Sequence, residues 1–206
     1  MKRDQTEPDY TAPSIDGERA SLYILLAALL AEEPCHDTLA TVEVISAPDT
    51  ELGRALNELA GLASETDLET LTDAYFELFV GVGRGLLVPY GSYYLTGFLN
   101  EKPLARLRTD MARLGIERDP DLKEPEDHIA TVLEIMAGLL SGALPVPETT
   151  TQDAEAQRFF EVHIAPWAEV FFKDLAATTA HPLYTAVGRV GLTFITIEEK
   201  AFDYAA

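Results

Sequence analysis

Cysteine is almost absent from this chain of 206 residues, which contains Cys35 and no other thiol. A single thiol excludes an internal disulfide, and a structural zinc site would need about four Cys or His ligands at defined spacing. The four histidines show no His-x-x-x-His or Glu-x-x-His pairing on a predicted helix face. We therefore predict no metal site and no bound cofactor, and we interpret Cys35-His36 as an isolated structural pair.

Positive charge is also scarce. The chain has 15 Lys and Arg against 35 Asp and Glu, which gives a formal net charge of -20. Such a field repels polyphosphates and anionic membrane surfaces, and it attracts cationic peptides. Nucleic acid is therefore excluded as a partner, although an acidic surface also serves solubility alone.

Long apolar runs are missing as well. The longest uninterrupted run, Leu22 to Ala31, has ten residues, whereas about 18–20 are needed to cross a bilayer as a helix. Met1 to Asp16 are polar and lack the apolar stretch of a secretory signal. We expect a cytoplasmic protein without stable membrane insertion.

Helical spacing of apolar residues dominates the rest of the chain and predicts an all-α fold, a single compact bundle of about eight helices. Residues 1–15 are expected to be a disordered N-terminal segment, and residues 16–206 a single all-helical domain with a hinge near 117–124. The predicted helices are Asp16 to Glu32, Pro48 to Ala63, Thr66 to Val80, Lys102 to Leu114, Ile129 to Leu140, two that Pro166 divides, and one that begins at Pro182. The β-branched segment Leu192 to Ile197 could alternatively form a strand.

An aromatic-rich stretch, Gly81 to Thr96, interrupts these helices and is predicted to be a long loop. Loops of this length in compact domains are often functional, although ordered packing is an equally good explanation. Its glycines lack the Gly-x-x-x-x-Gly-Lys-Ser/Thr pattern of a phosphate-binding loop. The sequence therefore does not argue for nucleotide binding.

A second unusual segment is Glu124-Pro125-Glu126-Asp127-His128. Pro125 suits the first position of a helix, and Glu126 and Asp127 would then lie in the first turn, where the helix dipole favours negative charge. His128 is either a structural histidine or a hydrogen-bonding, proton-sensitive group.

Together these two segments resemble the TorD/DmsD/NarJ family. Glu124, Pro125, Asp127 and His128 match its acidic-Pro-x-Asp-His motif. Pro89 to Leu95 resembles its Pro-aromatic-x-Ser-x-aromatic-Leu loop, with Tyr90 where relatives often carry Trp. Two further segments match the family. The aromatic helix end of the family is matched by Tyr75, Phe76, Leu78 and Phe79, and its His-x-x-Pro-Trp segment, which we interpret as structural, is matched by His163, Pro166 and Trp167.

The resemblance implies a cytoplasmic chaperone, not an enzyme, that binds the apo catalytic subunit of a molybdopterin oxidoreductase, often through its twin-arginine leader, until the cofactor is inserted. By this likeness Asp127 would pair with a leader arginine, and Glu124 or Glu126 with the second, since Arg–carboxylate contacts are charge-assisted and selective for guanidinium. The aromatic residues would form an apolar slot, although Tyr75 and Phe79 could equally be core. The implied client-binding residues are Tyr75, Phe76, Phe79, Pro89, Tyr90, Ser92, Tyr94, Glu124, Pro125, Glu126, Asp127 and His128.

Two other functions fit the sequence less well. A helical regulator without a chaperone role could use the same acidic surface and aromatic loop. A small acid–base enzyme could pair His128 with Asp127 or Glu126, but adjacent helical residues diverge by about 100°. The sequence identifies neither the client nor its export, and it favours a monomer, although a hinge at Arg118 to Glu124 also permits a dimer by exchange of the C-terminal half.

Overall fold

The computed structural model describes residues 14–118 and 124–205 of the chain. These residues form ten α-helices and two short π-helical segments. The elements are α1 (Ile15–Ala31), α2 (His36–Glu43), α3 (Glu51–Glu65), α4 (Leu68–Tyr75), π1 (Phe76–Val80), α5 (Gly91–Thr96), α6 (Lys102–Arg113), α7 (Ile129–Leu140), α8 (Gln152–Phe159), π2 (Phe160–Ile164), α9 (Ala168–Ala176) and α10 (Pro182–Ala205).

The all-α prediction is confirmed, but the predicted count of about eight helices was too low. It missed α2, whose eight residues bury only Leu39 and Val42, too few for a visible helical stripe. It also missed α5, which lies within the stretch predicted to be a loop. Leu192 to Ile197 is helical and belongs to α10, so the alternative of a strand is wrong.

The most apolar helices pack against each other at the centre of the bundle. Helix α1 packs chiefly on α7, and α10 packs on α9 and α3. Tyr23, Leu26 and Leu30 of α1 and Leu133 and Met136 of α7 are all buried in the main hydrophobic core. Burial of such side chains, at about 1.5–3 kcal/mol each, is the main force that holds the bundle together.

Two glycines allow α10 to approach α9 closely. A Cβ atom on Gly188 would lie 2.2 Å from the backbone nitrogen of Ala176, and one on Gly191 would lie 2.1 Å from the ring of Phe172. Neither space can hold a methyl group. The C-terminal helix is therefore fitted to α9 by backbone contact.

A buried ion pair joins the first and last helices. Both carboxylate oxygens of Glu198 accept hydrogen bonds from Arg19, at 2.8 Å each, and Tyr23 donates a third at 3.0 Å. Glu198 is 1% exposed, so its charge depends on these partners. The contact fixes α10 against α1.

Several predicted boundaries are corrected by local capping. Helix α3 begins at Glu51 and not at Pro48, because the Thr50 side chain accepts the Gly53 N–H. Helix α4 begins at Leu68, after the N-cap Asp67, and it continues as π1. The predicted helix Thr66 to Val80 therefore starts later and is divided. Pro125 does not begin a helix, since α7 starts at Ile129.

Other predictions of chain organisation lie largely outside the described residues. Of the predicted disordered segment 1–15, residues 14 and 15 are described, and Ile15 already belongs to α1. Residues 119–123 of the predicted hinge are likewise outside the described ranges. No helix among the residues described is both long enough and apolar enough to cross a membrane.

Candidate functional site

The two segments that carry the family resemblance are joined by backbone hydrogen bonds. The Gly91 N–H donates to the carbonyl of Asp127 at 2.9 Å, and the Ile129 N–H donates to the carbonyl of Pro89 at 2.8 Å. Tyr90 and His128 face each other between these bonds as an isolated antiparallel bridge. This pairing holds residues 125–128 in a turn, which is why α7 cannot begin at Pro125.

Asp127 lies inside this junction and is only 3% exposed. Its Oδ2 accepts the backbone N–H of Ser92 at 2.6 Å, so the carboxylate caps the first turn of α5, where negative charge is favourable. Within the described residues, neither Asp127 Oδ1 nor the hydroxyl of the fully buried Ser92 has a hydrogen-bond partner. Asp127 therefore organises the loop and retains one unused acceptor.

His128 is the N-cap residue of α7. Its Nδ1 accepts the Ala130 N–H at 3.2 Å, and its ring packs edge-on against Tyr90. Burial lowers the pKa of His128 to about 4, against the opposing effect of Glu124 and Asp127. The imidazole is therefore neutral at pH 7 and serves as a hydrogen-bond acceptor.

Glu126 is also buried, at 3% exposure, but its charge is neutralised within the protein. Its carboxylate accepts two hydrogen bonds from Arg108, at 3.0 and 2.8 Å, and pairs with Arg118 at 3.3 Å. Burial alone would raise the pKa of Glu126, but Arg108 and Arg118 outweigh it and hold the pKa below its usual range. Glu126 thus fixes the turn to α6.

Glu124 differs from these neighbours because it is exposed. Its carboxylate accepts a hydrogen bond from the hydroxyl of Tyr90. Burial raises the pKa of the nearby Tyr75 to about 12, and the charges of Glu124, Glu33 and Glu32 add to the effect. Glu32 and Glu33 follow the end of α1 and are exposed. We call the group Glu32, Glu33, Tyr75, Tyr90 and Glu124 the acidic–aromatic face.

An aromatic cluster packs around Tyr75, the buried member of this face. Tyr75 packs against Phe79 and Tyr184, with ring centroids 5.1 and 6.4 Å away. The hydroxyl of Tyr184 is buried and has no hydrogen-bond partner among the described residues. Tyr75 itself is buried, whereas Phe76, the first residue of π1, is 44% exposed. Single-turn π segments within helices often occur at functional sites, and here π1 brings Phe76 to the surface beside the buried Tyr75.

Tyr94 lies on the side of α5 that faces α9. Its hydroxyl donates to Asp174 at 3.1 Å, and its ring contacts Trp167 and Phe171. The Trp167 Nε1–H donates to the carbonyl of His163 at 2.8 Å. Tyr94 therefore joins α5 to α9, away from the acidic–aromatic face.

The structure thus groups most, but not all, of the predicted site residues. Pro89, Tyr90, Ser92, Asp127 and His128 form one junction, while Tyr94 belongs to another contact. Sequence reasoning missed Glu32, Glu33 and Tyr184. One signal was available, because two acidic residues directly after a helix C-terminus oppose the helix dipole.

Comparisons with known proteins agree with this architecture. The family model for the nitrate reductase delta subunit matches residues 46–173, more than half of the chain. A chaperone protein TorD of Vibrio cholerae is 30% identical over 169 residues, which cover 80% of this chain and 76% of the relative. A TorD of Vibrio atlanticus is 27% identical, with 89% and 94% covered.

A solved structure shares the fold. A protein of Archaeoglobus fulgidus assigned to redox enzyme maturation superimposes with a TM-score of 0.58 and 20% identity, covering 92% of this chain and 99% of its own. The sequence resemblance noted above is therefore confirmed. The chain belongs to the nitrate reductase delta subunit family, that is, to the TorD/NarJ family of redox-enzyme maturation chaperones, which are not catalytic enzymes.

Proposed function

We propose that the protein is a cytoplasmic chaperone for the apo catalytic subunit of a molybdopterin oxidoreductase. It holds the client through a twin-arginine leader or a folding intermediate, assists cofactor insertion and then releases it. The observation that carries this proposal is the acidic–aromatic face, to which the two family motifs contribute Tyr90 and Glu124, in a chain of this chaperone family.

The exposed carboxylates of this face suit the arginines of a leader. Glu32 and Glu33 have no ion pair among the described residues, and Glu124 has only the Tyr90 hydroxyl as its partner. A guanidinium can bind a carboxylate through two hydrogen bonds and stack on an aromatic ring. The net charge of -20 would also steer a cationic peptide towards the protein.

Asp127 and Glu126 have a different role in this proposal from the one that the resemblance suggested. Both are buried, Glu126 already binds two arginines of the chain, and Asp127 holds the Ser92 N–H. We infer that they, together with Pro89, Pro125, Ser92 and His128, shape the loop that presents Tyr90 and Glu124. Direct contact with the leader's arginines then belongs to Glu124 and its exposed neighbours.

Apolar side chains near the face suit the hydrophobic stretch that follows a leader's arginines. Phe76 and Val80 of π1 are 44% and 48% exposed, and Val82 and Leu86 in the following turns are more so. Contiguous exposed apolar residues often mark protein-binding surfaces. In our proposal these residues, with the half-buried Phe79, receive one side of the leader.

The test is an affinity pulldown of the tagged protein from its native cytoplasm, with mass spectrometry and a molybdenum assay of the captured protein. We expect a cofactor-free catalytic subunit of a molybdoenzyme. The variant Glu33→Gln/Glu124→Gln should capture about tenfold less, since two charge-assisted contacts are lost.

Glu148→Gln is the matched control, because Glu148 is an exposed carboxylate beyond the opposite end of α7. It should capture the client as well as the unmodified protein does. A double variant that captures normally would place the leader elsewhere. A pulldown that contains no molybdoenzyme subunit would favour a regulator of another protein.

A further inference from the structure

A cavity of about 260 Å³ lies beside Asp127, and none of the residues that line it belongs to the acidic–aromatic face. It is enclosed by α5, α6, the first turns of α7, and π2. Its wall is mostly apolar and includes Leu107, Val132, Val162 and the ring of Trp167. This space can accept a side chain of the size of leucine or phenylalanine, and such a contact is favourable through burial of apolar area.

The mouth of this cavity is positively charged, which is unusual in so acidic a chain. Lys102 and Arg106 line it, both exposed, and neither has an ion pair or a hydrogen bond among the described residues. Every other arginine in that part of the chain has such a partner. Both residues lie in the first turns of α6, whose first turn has no acidic residue and whose N-cap residue, the exposed Glu101, makes no side-chain cap. The helix dipole adds to their positive charge, so the mouth favours an anion.

The inner wall has the opposite preference. Asp127 lines the cavity, and its buried Oδ1 has no partner among the described residues. This oxygen is closed to solvent and offers no contact to an occupant, but the negative charge of the carboxylate repels a second anion. The occupant therefore needs an apolar group inside, with its negative charge at the mouth.

Exposed apolar residues continue from the cavity along the surface. Leu95, on the rim, is 42% exposed, and Phe98 and Leu99 in the connection from α5 to α6 are 69% and 43% exposed. A small molecule inside the cavity would leave Phe98 and Leu99 uncovered, whereas an extended peptide would cover them. A contiguous apolar strip of this kind is typical of a protein-binding surface.

We propose that this cavity is a second peptide-binding site, which takes an apolar side chain from a client segment that also carries acidic residues. The carboxylates of that segment pair with Arg106 and Lys102 at the mouth. The site rests on the proposed chaperone function for the source of the peptide, but its charge preference is opposite to that of the acidic–aromatic face. A client would thus be held at two places of opposite charge.

Trp167 provides the measurement, because it is the only tryptophan of the chain and its ring lines the cavity. The probe is a capped hexapeptide of alternating Asp and Leu, titrated against the full-length protein while tryptophan emission is recorded. We expect a saturable change. The matched peptides, in which Lys or Asn replaces every Asp, should bind about tenfold more weakly or not at all, since charge complementarity sets the preference.

Two variants test the site by independent means. Arg106→Glu should weaken binding of the acidic peptide about tenfold, whereas Arg54→Glu, which makes the same charge change at an exposed arginine paired with Asp49, should not. Val162→Phe should abolish binding by filling the cavity, with the circular dichroism spectrum unchanged. Arg106→Glu should leave the affinity for a twin-arginine leader peptide unchanged, so failure of this site and failure of the leader site are distinguishable.

Three results would overturn the proposal. The first is no saturable emission change with the acidic peptide. The second is equal binding of the acidic and lysine peptides, or binding that Arg106→Glu leaves intact. The third is the same emission change with inorganic phosphate at the same concentration, which would assign the cavity to small anions.

Discussion

The contact between Asp127 and Ser92 predicts opposite outcomes for two substitutions within the family motifs. Asp127 accepts the backbone N–H of Ser92, while the Ser92 hydroxyl is fully buried and has no partner among the described residues. The side chain that resembles a functional serine therefore contributes no hydrogen bond that the structure shows. The carboxylate next to it contributes one that is short and buried.

The magnitudes follow from what each substitution leaves behind. Asp127→Ala leaves the Ser92 N–H buried without an acceptor and should lower the free energy of unfolding by about 2–3 kcal/mol. The loss is large because the buried N–H has neither water nor an acceptor in the folded state, and because the lost hydrogen bond is charge-assisted. Ser92→Ala removes an unpaired hydroxyl and keeps the backbone bond to Asp127. It should change the free energy of unfolding by less than about 0.5 kcal/mol, or increase it.

Urea denaturation followed by circular dichroism measures both values. In a chain of this size, a loss of about 2–3 kcal/mol corresponds to a decrease of about 4–12 °C in Tm. Asp127→Asn is the matched control, because its amide oxygen can still accept the Ser92 N–H, and it should lose less than half as much as Asp127→Ala. If Ser92→Ala costs more than about 1 kcal/mol, or if Asp127→Ala costs less, the assigned hydrogen bonding of this junction is wrong.

Three other predictions concern the surrounding structure. Because burial lowers the pKa of His128 to about 4, the unfolded chain binds a proton below about pH 6.5 that the folded chain does not, so stability decreases as the pH falls through this window. The variant His128→Asn keeps a capping oxygen but cannot take up this proton. Between pH 7 and pH 5, its free energy of unfolding, measured by urea titration, should therefore decrease by about 2 kcal/mol less than that of the unmodified protein. An equal decrease would mean that other groups, such as His163, dominate the pH dependence. Arg19→Met should cost about 3–5 kcal/mol because it leaves the buried Glu198 charge without its cation, and the double variant Arg19→Met/Glu198→Leu should recover most of this in thermal melts. Gly188→Ala should cost about 1–3 kcal/mol because its methyl group meets the backbone of α9, whereas Gly61→Ala, with open space around the new methyl group, should gain about 0.5–1 kcal/mol.

Sequence reasoning located the helices whose boundaries depend on local residues. Helix α1 was predicted within one residue at each end, since a strong apolar pattern and Pro34 mark it. The apolar stripe of α7, Ile129 to Leu140, was also identified, although the predicted helix start at Pro125 is wrong. In both cases the pattern of burial coincides with the pattern of the sequence.

The errors occur where distant residues determine the backbone. Pro125 has the local features of a first helical residue, but bonds from Gly91 to Asp127 and from Ile129 to Pro89 hold the segment in a turn. The predicted helix Thr66 to Val80 is a similar case. The spacing of its apolar residues suits an α-helix and a π segment equally, so it does not show where α4 ends and π1 begins. Contacts across about 35 residues cannot be read from a local pattern.

The same limit applies to the candidate site. The motif predicts which loop carries the candidate site, but the exposure of each carboxylate depends on partners elsewhere in the chain. Arg108 and Arg118 neutralise Glu126, and the Ser92 N–H engages Asp127. Glu124 has no such cation among the residues that the structure describes. The sequence could not show which of three nearby acidic residues remains available to a client.

The distribution of cations explains why both proposed binding sites lie where they do. The chain has only 15 basic residues for 35 acidic ones, and most described arginines are engaged in ion pairs. Four of these arginines pair with Asp110, Glu126 or Glu155, around α6. The carboxylates Glu32, Glu33 and Glu124 have no cation partner among the described residues, so under the proposed function an arginine of the client would pair with them. Arg106 is the described arginine without a partner, and it lies beside an apolar cavity, so the proposed acidic client segment would supply its counterion. Each site is thus defined by a charge that folding leaves uncompensated beside apolar surface, and a client that carries both an arginine-rich leader and an acidic, apolar segment would satisfy the two together.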